Sequence, residues 1–155
     1  QAALACLVDS VHGDAALEGF AAKWQGEALV MDKWLALQAG SQRLGTPARI
    51  QQLMAHPCFA ITNPNKVRSL VGTFLHTNLA GFHQADGSGY AFAADTILAV
   101  DRLNPQTAAR LAGAFNRWKK LEPARRQLMH NALERIAAAP NLSRDVYEII
   151  AKNLR

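Results

Sequence analysis

Cations, an imidazole, a carboxylate and a phenol gather along one stretch of this 155-residue chain, between Ile61 and Pro105. Asn63-Pro64-Asn65-Lys66-Val67-Arg68-Ser69-Leu70 comes first, then Phe82-His83-Gln84-Ala85-Asp86-Gly87-Ser88-Gly89-Tyr90, then Asn104-Pro105. Lys66, Arg68, His83, Asp86 and Tyr90 are presented close together here, and this is the stretch where function is expected. Asparagine, glycine and proline punctuate the same stretch, so backbone geometry is being set where the reactive groups are presented.

The other chemistries that the residue types invite lack the required spacing. His12, His56, His76, His83 and His130 never stand four apart with a Glu between them, and Cys6 and Cys58 have no ligand spacing. The chain by itself is therefore expected to provide no metal site. Asp86-Gly87-Ser88-Gly89 falls short of a G-x-S-x-G nucleophile turn, and no apolar strand precedes it. Ser88 reads instead as the cap of a following helix, a role worth about 1 kcal/mol. Gly87-Ser88-Gly89 has neither the length nor the context of a phosphate loop.

The net charge is +5, and Arg102, Arg110, Arg117, Lys119, Lys120, Arg125, Arg126 and Arg135 dominate one region. Only Trp118 interrupts that set, which reads as solvated helical faces rather than a nucleic-acid patch. Some of those arginines could instead face a concave surface and hold carboxylates. Trp24, Trp34 and Trp118 lie on apolar helical stripes and are expected in the core. Tyr90 has two readings, a core residue bonded back to the Asp86 region or a residue facing a cavity.

The elements that must position these groups are helices. Half the residues are apolar, alanine is abundant, and no run alternates as a strand would. A chain of this size builds its own core without disulfides, and both thiols are expected to be buried and reduced. No signal peptide opens the chain and no stretch reaches 18 apolar residues, so it is expected to be soluble, with no membrane partner.

Helices are predicted over 1–10, from Asp14 to Trp24, over 27–39, and from Thr46 to about Ala55. Others run from Asn63 to about His76, from a Ser88 cap to Arg102, from Asn104 to Lys120, from Glu122 to about Ala139, and from Ser143 to the end. That makes roughly eight or nine short antiparallel helices with loops of about 2–8 residues. The expected fold is all-α, an irregular armadillo- or HEAT-like superhelix forming one domain over 1–155; a compact orthogonal bundle is the other arrangement. Gln1 stands where an initiator Met would, so the chain reads as a fragment of a larger polypeptide.

Val30-Met31-Asp32-Lys33-Trp34, the two segments quoted first, Asn104-Pro105-Gln106, and Asn141-Leu142-Ser143 with Tyr147 follow one another in an order that resembles the C-terminal helical domain of bacterial aminopeptidase N. That family comprises zinc-dependent, gluzincin-type aminopeptidases. The resemblance runs from about Leu29 onward and is less distinct over the first 28 residues.

It implies a non-catalytic part of a multidomain enzyme that removes N-terminal amino acids from peptides, with zinc held elsewhere in the full-length enzyme. It also implies partners: the catalytic domain of the same polypeptide and the peptide substrate, with no nucleic acid, in the cytoplasm. By position in the matched motifs, Arg68 and Arg110 are the expected substrate contacts, with Lys66, Asp86 and Tyr90 second. The plainer expectation is that Asn63, Asn65, Asp86, Ser88 and Tyr90 fix helix caps and domain contacts. Two readings stand outside the resemblance: a free-standing helical-repeat module for a protein partner, and a basic nucleic-acid-binding domain.

Overall fold

The computed structural model describes residues 2–155, the side chain of Ala2 excepted. The expected helix start at Gln1 and the Ala2 position of its apolar stripe lie outside the described residues. Among these residues there are ten helices and no strand, and no helix is long and apolar enough to cross a membrane. By chain contacts the molecule divides into two compact units, residues 1–81 and 82–155.

The first unit holds α1 (Ala2–Leu7), α2 (Gly13–Trp24), α3 (Ala28–Ala39), α4 (Thr46–Met54) and α5, residues 64–77. α5 starts as an α-helix (Pro64–Val67), widens to a π-helical turn over Arg68–Gly72, and resumes as Thr73–Thr77. At the wide turn the Thr73 N–H reaches back five residues to the Arg68 carbonyl. Such π turns inside α-helices are rare and recur at functional sites.

α3 packs on α5 through a core that includes Met31, Trp34, Leu35, Val67, Leu70 and Phe74, each no more than 2% exposed. The Trp34 indole N–H donates to the Leu17 carbonyl at 2.9 Å, so its one polar atom is satisfied. Buried Asn78 follows α5. Its amide nitrogen donates to Ala39 and Ser41 carbonyls at 3.0 and 2.7 Å, and its oxygen accepts the Gly81 N–H at 2.9 Å. That cap starts α6 (Leu79–Phe82), a short turn of helix not predicted from periodicity because four residues carry too little pattern.

The second unit holds α7 (Ser88–Asp101), α8 (residues 105–120), α9 (Pro123–Ala137) and α10 (Arg144–Leu154). α8 is α-helical over Pro105–Ala112 and tightens to a 3₁₀ helix over Gly113–Lys120. α8 packs against α7 and α10, and α9 against α7 and α10. Phe82, Tyr90 and Phe115 form edge-to-face aromatic pairs in this core. The Trp118 indole N–H donates to the Asn153 carbonyl at 3.0 Å.

Four of the expected starts are capped as their residue types suggest. Asn63, Asn104, Glu122 and Ser143 each accept backbone N–H groups of the following turn, and Pro64, Pro105 and Pro123 stand behind three of them. Other details differ. Asp14 does not cap α2; its carboxylate binds the Arg43 guanidinium at 2.7 and 3.3 Å. Thr46 is the first residue of α4 and Gly45 its cap, without a side-chain bond. Ser88 is likewise inside α7, and its N–H is taken by Asp86. Cys6 is exposed, Cys58 is half-buried, and Trp24 reaches the surface at 36% exposure.

Gly89 sits where α7 crosses the backbone of Phe82. A Cβ there would lie 2.1 Å from the Phe82 carbonyl oxygen, a clash with main chain that no rotamer relieves. Gly19, inside α2, has nothing within 4 Å of an added Cβ. Gly89→Ala is expected to destabilise the fold by at least about 1–3 kcal/mol. Gly19→Ala should stabilise it by about 0.5–1 kcal/mol through helix propensity. Urea unfolding of both variants checks the opposite signs.

Candidate functional site

The residues singled out in the sequence fall in two places. In the first unit, Asn63 fixes the start of α5 by accepting the Asn65 and Lys66 N–H groups at 3.0 and 3.4 Å. The helix then points Lys66 inward. Its ammonium lies 2.7 Å from Asp32 Oδ1 on α3 and donates to the Ala28 carbonyl at 3.2 Å. Side-chain exposures are 11% for Lys66 and 15% for Asp32. Asp32 Oδ1 receives no well-directed hydrogen bond, so the contact is ionic in character.

Two positions further on, Arg68 points outward and is exposed. Its guanidinium donates to Asn65 Oδ1 at 3.0 Å, which leaves most of its donors to solvent or a ligand.

His56 and Cys58 follow α4, with the imidazole Nδ1 3.0 Å from the Cys58 sulfur and the ring stacked at a tilt on Trp34. Burial pushes the Cys58 thiol up, against the nearby Lys66 charge, so it stays a thiol at neutral pH. A Cys and a His in contact are here a packed pair rather than an activated nucleophile.

In the second unit, the turn before α7 brings Asp86, Ser88, His83 and Tyr90 together. Gly87 takes φ +75°, a left-handed conformation suited to glycine. Exposed Asp86 accepts the Ser88 N–H at 2.9 Å and the Ser88 hydroxyl at 2.7 Å. Those bonds, the backbone one foremost, hold its carboxyl below the usual range.

Tyr90 is 1% exposed, and its hydroxyl shares a 2.8 Å hydrogen bond with His83 Nδ1. The core reading of Tyr90 thus holds, with His83 rather than Asp86 as the partner. Burial raises the phenol's pKa. Burial first, and then the Arg125 charge, lower that of His83. Arg125 on α9 donates through Nε to the His83 carbonyl at 2.8 Å and through Nη1 to Glu122 at 3.2 Å.

Arg110 is exposed in the last turn of Pro105–Ala112. Nearby in sequence, Asp101 at the end of α7 is 6% exposed and binds both the N–H and the hydroxyl of Ser143, the N–H at 2.9 Å. That clamp ties the end of α7 to the start of α10. Neither Asp32 nor Asp101 was singled out from sequence as functional. The signal available was a carboxylate set among apolar neighbours on its helix, which requires a partner if buried.

Among the described residues no group of three or more His, Cys, Asp or Glu side chains is placed to hold a metal ion. The described residues of this chain do not fit a zinc site.

The family described as "Domain of unknown function (DUF3458_C) ARM repeats" matches residues 1–155, and the chain belongs to it. Its counterpart in characterised proteins is the C-terminal region of aminopeptidase N. Identity to aminopeptidase N of Caulobacter vibrioides is 47% over 144 residues, covering 93% of this chain and 17% of that protein. For aminopeptidase N of Haemophilus influenzae it is 46% over 142 residues, covering 92% and 16%. For Escherichia coli aminopeptidase N it is 40% over 141 residues, covering 91% and 16%. The chain thus spans about a sixth of these relatives. A solved structure of Legionella pneumophila aminopeptidase A in complex with aspartic acid superimposes with a TM-score of 0.92 at 34% identity, over 98% of this chain and 18% of that one.

Two predictions follow from the pairings. Lys66→Met strands the Asp32 carboxylate in the core and should cost about 3–5 kcal/mol, whereas Lys66→Met with Asp32→Leu should recover most of it. A double-mutant cycle in urea measures this. His83 has a lower pKa folded than unfolded, so protonation favours the unfolded chain. Its contribution is complete above about pH 6.5 and is lost as the pH falls through that value toward the folded one. The urea midpoint of the wild type should therefore fall further on acidification than that of His83→Asn.

Proposed function

We propose that this chain is the non-catalytic C-terminal module of a zinc-dependent, cytoplasmic aminopeptidase that removes N-terminal amino acids from peptides. The observation that carries the proposal is the match of over nine-tenths of the chain to about one-sixth of each aminopeptidase N. Under this reading 1–155 is one module of a longer polypeptide, and zinc and the reacting groups reside in its catalytic domain, the module's partner. The helical module closes the substrate chamber, and the far end of a bound peptide meets it.

Arg68 and Arg110 are the residues proposed to meet that peptide. Both are exposed guanidinium groups, and a guanidinium grips a terminal carboxylate with two parallel bonds. Arg68 also opens the π-helical turn of α5 and is oriented by Asn65. Lys66 and Tyr90 contribute by holding their helices through Asp32 and His83, and Asp86 by setting the turn before α7.

The test uses the full-length enzyme. Arg68→Met and Arg110→Met should each raise KM for a tetrapeptide about tenfold, the equivalent of one charge-assisted hydrogen bond, with kcat little changed. Leucyl-anilide, which has no peptide carboxylate, should be hydrolysed as by the wild type. Equal effects on both substrates, or none on either, would sink the proposed contact. Aminopeptidase turnover with stoichiometric zinc by residues 1–155 alone would sink the non-catalytic role.

A further inference from the structure

The first unit contains a cleft that none of the chemistry above uses. It measures about 380 Å³ and lies among α2, α3 and α4. That volume is within the range of small-molecule sites, about 300–1,000 Å³.

One wall is made to receive an anion. Thr46 lines the cleft; the residue is 4% exposed, and what remains open includes its hydroxyl, which meets the solvent of the cleft. A ligand group that enters can take the place of water on this hydroxyl. Thr46 opens α4, where its own N–H is taken by the Arg43 carbonyl, Pro47 has none and the Arg49 N–H returns to Gly45, which leaves the Ala48 N–H to face the cleft. Arg49 lines the same wall. Its Nε donates to buried Gln38 at 2.9 Å and its Nη1 to Gln52 at 3.5 Å, so the fork is held in place while Nη2 stays unengaged.

The other wall is acidic. Asp14 and Glu18 stand one helical turn apart on α2 and both line the cleft. Arg43 takes Asp14 in a two-bond pair, whereas Glu18 has no ion-pair partner among the described residues. Val8 and Leu17, both buried, add an apolar surface. Two arginines thus face two carboxylates. A dianion such as phosphate would meet Asp14 and Glu18, and a bare cation would meet Arg49.

We propose that this cleft binds a zwitterionic amino acid or a very short peptide with both termini free. The carboxylate sits against Arg49, the Thr46 hydroxyl and the Ala48 N–H. The ammonium sits against Glu18, and an apolar side chain rests on Val8 and Leu17. The proposal stands on the geometry of the first unit and is independent of the roles given to Arg68 and Arg110.

Methyl NMR of the full-length protein tests it, with the Leu17, Thr46 and Ala48 methyls as local reporters and L-leucine as the probe. A catalytic site elsewhere in the polypeptide would not move these signals directly. L-leucine should shift them saturably. Acetyl-leucine, which lacks the ammonium, and leucinamide, which lacks the carboxylate, should each bind at least about tenfold more weakly, a difference of one well-made polar contact. Arg49→Met should abolish the shifts.

Glu18→Gln, at an exposed position, should weaken leucine but not acetyl-leucine, and it keeps the test open if Arg49→Met does not fold. Absence of any shift up to about 10 mM leucine would overturn the proposal. So would equal binding of leucine and acetyl-leucine, or displacement of leucine by an equal concentration of inorganic phosphate.

Discussion

A fold made of short helices is governed by its helix ends. Each end leaves four backbone N–H or four C=O groups without a partner inside the helix, and ten helices place many such ends near a core. The polar residues of this chain are largely committed to that constraint. Asn63, Asn104, Glu122 and Ser143 cap four helices, Asn78 starts a fifth, and Asp86 takes the first amide of α7. Without them the apolar faces would still attract one another, but burial would strand amides at a cost of about 1–3 kcal/mol each.

Caps that also reach across the fold do more than end a helix. Asn78 satisfies Gly81 while donating to the Ala39 carbonyl at the end of α3 and to the Ser41 carbonyl beyond it. Asp101 holds Ser143, whose own hydroxyl caps α10. The helix starts and the tertiary contacts are therefore one network within each unit. Gly89, pressed against the Phe82 main chain, is the steric side of the same arrangement.

The helices were legible in the sequence because proline, asparagine and the 3.6 period mark them locally. Nine of the ten were expected, and the one missed is the four-residue turn Leu79–Phe82. What could not be read was the destination of side chains whose partners are remote in sequence. Asp14 has the type and position of a cap, yet it is captured by Arg43, 29 residues away. Ser88 looks like a cap, but Asp86 precedes it and takes the amide first. Tyr90 could be placed next to the turn, but its His83 partner depends on the path of the backbone between them. The cleft lined by Thr46 and Arg49 is assembled from three helices, so no local pattern announces it.

Lys66 and Arg68 show why motif-level reading stops short of roles. They stand two residues apart in one helix start, and at 100° per residue their side chains leave the axis on nearly opposite sides. One is driven into the core, where Asp32 and the Ala28 carbonyl take its charge. The other must then face away from that core, and Asn65, itself part of the turn Asn63 caps, steadies it. The spacing that makes one cation a lock makes the other available. In this segment the burial of one cation and the exposure of the other are consequences of the same helical phase.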